Sequence, residues 1–187
     1  MAKTKEQLLN ILDQFQLDEK VVSAEPFGNG HINDTLKVTN EKGEIKYVLQ
    51  RINHLIFTNV DMLQNNIHVV TTHIRKKLEE KGETDIDRKV LTFLPTKDGK
   101  KYYFDGDSYW RVCLFIPRSK SYEEVTPELS YEAGKAFGDF QTMLSDIPEG
   151  TLGETIPDFH NMEFRLKQLR DAVATNAAGR VAEGCSR

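Results

Sequence analysis

The chain has 187 residues, of which 39% are hydrophobic and 29% charged, and a net charge of −4. That composition supports a packed core and sets aside a disordered chain. The mild acidity, with no Lys/Arg block interleaved with aromatics, sets aside a nucleic-acid-binding role.

Thr4 to about Phe15 is predicted as a short amphipathic helix. Thr4 and Gln7 make a capping-box pair, and Leu8, Leu9, Ile11, Leu12 and Phe15 form one apolar stripe. Val21–Phe27 is strand-like, Gly28-Asn29-Gly30 interrupts it, and Ile32–Thr39 is strand-like again. Asn40 to Glu44 has the composition of a hairpin loop, and Ile45–Ile52 alternates as a third strand. Asp61–Lys81 reads as a helix, with Leu63, Ile67, Val70, Ile74 and Leu78 at helical spacing and Gly82 as its stop. On that helix Arg75-Lys76-Lys77, followed by Glu79-Glu80, reads as a solvated face.

Lys89–Thr96 is predicted as a strand, Lys101–Asp105 as its partner, and Ser108–Ile116 as a long apolar strand stopped by Pro117. The order implies an antiparallel sheet with a helix packed on it. Beyond a boundary near Pro117–Ser121 the chain turns helical. Thr126-Pro127-Glu128 is a strong helix start, with Leu129, Ala133, Ala136, Phe137, Phe140 and Leu144 as its expected buried stripe. A second helix carries Met162, Leu166, Leu169 and Val173 on one face, and the tail from Ala172 shows no apolar stripe.

The two cysteines, Cys113 and Cys185, make no disulfide framework; Cys113 reads as a small buried hydrophobe, and no Cys or His spacing suits a metal. No 18 apolar residues run together and the N-terminus has no apolar signal region, so the reading is a cytoplasmic chain with no membrane contact.

Three segments can carry chemistry. Gly28, Asn29, Gly30, His31 and Asn33 lie in a turn between antiparallel strands, where missing Cβ atoms let backbone N–H groups close over a phosphate. A Rossmann or P-loop fingerprint would lead into a helix instead. The segment fits either a nucleotide-covering hairpin or an ordinary turn. Arg51 on the third strand is either the cation that reaches nucleotide phosphates or an edge arginine facing water. Phe115, Ile116 and Pro117 end an apolar strand at the domain boundary, as either an adenine-holding hinge or plain core.

In this order the segments resemble the aminoglycoside-phosphotransferase and choline-kinase-like superfamily, and most of all its N-acetylhexosamine 1-kinase branch. The resemblance rests on FGNGHINDT at 27–35, YVLQRINHLIF at 47–57, Asn66-Ile67, WRVCLFIPRSKSYE at 110–123, AGKAFGDFQTML at 133–144 and IPDFHNMEFR at 156–165. It implies an α+β, protein-kinase-like N-lobe at 1–117, a five-stranded antiparallel sheet plus helix, and at 118–187 the hinge and first helices of an incomplete helical C-lobe. It implies the loop at Gly28–Asn33 over ATP phosphates, Arg51 in the place of the strand lysine, and Phe115–Pro117 as hinge. The implied activity is ATP- and Mg²⁺-dependent phosphotransfer to a small-molecule hydroxyl, the anomeric hydroxyl of an amino sugar in that branch.

Two departures accompany the resemblance. The helix after the third strand offers Gln64 or Asn65, not a glutamate, to position Arg51. The family's catalytic loop, with its proton-accepting aspartate and Mg²⁺ ligands, has no counterpart up to Arg187; Asp158-Phe159-His160-Asn161 has the wrong spacing. The chain alone is therefore expected to be an inactive fragment with exposed apolar faces and marginal stability. A non-catalytic nucleotide-binding or interaction module, and a choline- or aminoglycoside-type kinase fragment, are the alternatives.

Overall fold

The fold was described from a computed structural model, which covers residues 3–28, 30–122 and 124–184. Among the described residues the fold is α+β, with a sheet of six antiparallel strands rather than the expected five. In chain order the first elements are α1 (Lys5–Leu12), β1 (Val21–Pro26), β2 (Asp34–Asn40), β3 (Ile45–Ile52), α2 (Val60–Glu80) and α3 (Ile86–Lys89). There follow β4 (Phe93–Leu94), β5 (Tyr103–Phe104), β6 (Tyr109–Leu114), α4 (Pro127–Leu144), α5 (Met162–Thr175) and α6 (Val181–Gly184). The sheet runs β1-β2-β3-β6-β4, and β5 also pairs with β6. Residues 1–155 form one compact unit and 156–187 a second, so the expected break at 117–121 falls inside the first.

Local signals set the element starts. Thr4 accepts from the Gln7 N–H while the Gln7 side chain accepts from the Thr4 N–H, a complete capping box on α1. Asn59 caps α2, and Thr126 with Pro127 opens α4. The strand expected over Lys89–Thr96 is not formed as such: its start belongs to α3, and β4 keeps only two residues. The reason lies in β6, whose outer edge is divided. β4 pairs at Val112 and Cys113, while β5 takes Tyr109 and Trp110.

The sheet separates two layers. Because side chains alternate along a strand, Tyr47 and Leu49 of β3 face α1, where they bury with Leu8, Ile11, Leu12, Phe15, Trp110 and Val112. Ile52 faces the other way, toward Val60 and Leu63 of α2. A further cluster of Ile74, Leu78 and Val90 joins α2 to the α3 region, with Met143 and Leu144 of α4 against it.

Polar contacts complete that junction. His73 Nε2 and Lys77 Nζ both reach the Met143 carbonyl, at 3.1 and 2.7 Å, and both pair with Asp146. Arg75 bonds Asp87 and Thr92. Of the basic cluster read as a solvated face, only Lys76 keeps to its own helix, with Glu80. The stripe expected to be buried on α4 is not: none of its residues is buried, and Phe137 is 70% exposed. α5 likewise has no buried residue, with Met162 76% exposed. Cys185 lies outside the described residues. No helix among those described is long and apolar enough to cross a membrane.

Candidate functional site

The turn that joins β1 to β2 starts where Phe27 donates its N–H to the Thr35 carbonyl at 2.8 Å, the last rung before the chain leaves the ladder. Gly28 follows at φ +80°, a left-handed conformation that costs a side chain with a Cβ. A Cβ at Gly30 would meet nothing nearer than the Asn33 carbonyl at 3.7 Å, so the backbone there is open to an incoming group. Asn33 pins the far end of the turn, accepting the Asn53 N–H at 2.9 Å. His31 is exposed, and Asn29 lies outside the described residues.

Strand alternation then divides the predicted site residues. Arg51 has the parity of Tyr47 and Leu49, and with Gly28, Gly30 and Asn33 it lines a cavity of about 710 Å³ on the α1 side of the sheet. Its guanidinium is held by Asp34, directly opposite in the β2–β3 register, through Nε at 2.6 Å and Nη2 at 2.5 Å. Neither Gln64 nor Asn65 positions it: they are on α2, across the sheet. Asn65 accepts from Lys101, and Gln64 is buried with its Nε2 unpartnered.

Phe115 and Ile116 line a second cavity, of about 350 Å³, on the opposite face. Phe27 borders both cavities and meets Phe115 edge to face with centroids 5.9 Å apart. Val48 and Gln50 of β3 and Arg111 and Cys113 of β6 form the strand wall of this slot, directly paired as Val48↔Cys113 and Gln50↔Arg111. The backbone of Phe115–Pro117 is partly committed. Phe115 donates its N–H to the Lys46 carbonyl at 2.9 Å, and the Pro117 carbonyl accepts from Arg88. Proline has no N–H, so Ile116 carries the remaining backbone donor of this segment.

The residues missed by sequence reasoning are Gln50 and Arg111. Gln50 Oε1 accepts from Arg111 Nε at 2.9 Å and from Nη2 at 2.5 Å, and the guanidinium sits 5.3 Å above the Phe93 ring. Burial pulls the Arg111 guanidinium below its usual pKa. Cys113, which is half-buried rather than buried, has its thiol pushed up to about 11 by burial, against the lowering influence of Arg111. One signal was available: a charged residue inside an apolar strand, in phase with Phe115.

His160 is in the second compact unit, in the turn before α5, edge to face against Phe159. Among the described residues no group of three or more His, Cys, Asp or Glu is placed to hold a metal ion. No family model matches the chain.

Proposed function

We propose that this chain is the nucleotide-binding part of an ATP- and Mg²⁺-dependent phosphotransferase acting on a small-molecule hydroxyl, the anomeric hydroxyl of an N-acetylhexosamine. The observation that carries the reading is the cavity lined by the touching rings of Phe27 and Phe115 and by the paired strands β3 and β6. An apolar strand floor of Val48 and Cys113 forms one wall, Leu91 and Phe93 another, and Ile116 lines it too. A flat heteroaromatic ring fits such a space, stacked by apolar groups and fixed by one or two backbone bonds. Arg51 and the open backbone around Gly30 line the cavity on the other face, which Phe27 also borders, and serve the part of the phosphate chain that passes the glycine turn. The amino-sugar acceptor rests on the resemblance of the motifs.

Calorimetric titration with ATP, with and without Mg²⁺, tests this. Wild type is expected to bind, Val48→Trp to lose binding by filling the slot, and Arg51→Ala to weaken ATP more than adenosine. A folded wild-type chain that binds neither nucleotide nor nucleoside would sink the reading.

A further inference from the structure

Arg111 is a permanent cation, since guanidinium does not deprotonate in proteins. It projects from the middle of a sheet into a cavity walled mainly by apolar side chains. Among the described residues no carboxylate forms an ion pair or hydrogen bond with it. Its one side-chain acceptor, Gln50 Oε1, takes Nε and Nη2 and leaves Nη1 buried and unpartnered. A buried charge in this state is costly unless an anion completes it.

A second orphan stands on the same face of the sheet. Gln64 of α2 is only 3% exposed, and its Nε2 also has no acceptor. It lines a neighbouring cavity of about 450 Å³ that shares Leu91 and Phe93 as walls with the Arg111 slot. Both unpartnered atoms are donors. Each calls for an acceptor, and the charge of the guanidinium makes an anionic acceptor its complement.

We infer that Arg111, oriented by Gln50, is an oxyanion-binding residue of the slot, and that the group it takes is a phosphoryl group of the ligand. Arg suits this role because its planar fork keeps two N–H bonds on Gln50 while presenting the third nitrogen to a phosphoryl oxygen. The inference rests on the nucleotide reading for the identity of the ligand, and on geometry alone for its charge.

The test is calorimetric titration of the full chain with adenosine, ADP and inorganic tripolyphosphate, in wild type, Arg111→Met and Gln50→Glu. Wild type is expected to bind ADP at least tenfold more tightly than adenosine. Arg111→Met should weaken ADP at least fivefold more than it weakens adenosine. Gln50→Glu places a carboxylate on the guanidinium from within, so it should raise the melting temperature and abolish tripolyphosphate binding. This second variant decides the matter even where Arg111→Met fails to fold.

Tripolyphosphate binding that both variants abolish, without adenosine binding, would uphold the anion site and remove the nucleotide reading. Equal loss of adenosine and ADP in Arg111→Met, with tripolyphosphate still bound by Gln50→Glu, would overturn the inference. So would a wild type that binds none of the three ligands.

Discussion

Asp105 collects four donors at one carboxylate: Lys3 Nζ at 2.8 Å, the N–H groups of Asp107 and Ser108 at 3.0 and 2.8 Å, and Trp110 Nε1 at 2.9 Å. Burial raises its pKa, but the bonds from Lys3, Ser108, Trp110 and Asp107 outweigh it and bring the group down to about 2. A depressed carboxyl pKa stabilises the fold above the unfolded value of about 3.9, and the contribution fades as pH falls through about 2. The shift corresponds to roughly 2 kcal/mol at neutral pH. Asp105→Asn should therefore destabilise the fold by about that amount at pH 7, with the gap to wild type closing between about pH 4 and 2. Denaturant titrations followed by fluorescence of Trp110, the single tryptophan, measure it directly; a gap constant with pH would exclude the linkage. Glycine makes a second contrast at this scale. Gly28→Ala, at φ +80°, should cost about 1 kcal/mol, whereas Gly30→Ala, with open space and no positive φ, should cost little in thermal melts.

At the scale of elements, two clamps fasten distant chain to α2. Asn66 bonds both the N–H and the carbonyl of Gly153, at 3.0 and 2.6 Å, across 87 residues of sequence. Replacing Asn66 by Ala leaves both groups without that partner, at a cost of about 1–3 kcal/mol. Amide hydrogen exchange should then accelerate at Gly153 and its neighbours while α1 and β3 stay protected. Lys77 and His73 fasten the other end at the Met143 carbonyl in the last turn of α4, where the Lys77 cation meets the negative pole of the helix. Lys77→Met should release α4 in the same experiment without unfolding the sheet. Exchange that rises everywhere equally in either variant would refute separate clamps. Elements were legible in the sequence where their signals are local. Thr4/Gln7 and Thr126-Pro127 each act on N–H groups within three residues, whereas the Asn59 cap of α2 was not read from the sequence. The extent of β4 was not legible, because it depends on how β5 and β6 share an edge.

Across the whole molecule, apolar surface remains uncovered on α4, with Tyr131 at 72% and Phe137 at 70% exposure. A helix patterned for burial that stays exposed is a surface for association. We expect concentration-dependent self-association and binding of a hydrophobic dye, both reduced by Phe137→Glu at a cost under about 0.5 kcal/mol, as for other exposed positions. Sedimentation at several concentrations checks this, and a monomer at all of them would remove the expectation. Of the candidate site, the glycine turn, Arg51 and the Phe115–Pro117 segment were legible as residues. Their distribution over two faces of the sheet was not, nor was the Gln50–Arg111 pair, whose members are 61 positions apart.

The sequence by itself determined the starts of α1 and α4, the three-strand run through β3, the glycine turn, and the apolar periodicity of α1 and α2. These follow from caps, turn chemistry and patterning that operate over a few residues. Only the tertiary structure decided that Arg51 stands with the glycine loop, that Arg111 shares the slot with Phe115, and that α4 keeps its apolar stripe outside. Each of these depends on strand register and on which element covers which face, and both are set by long-range pairing.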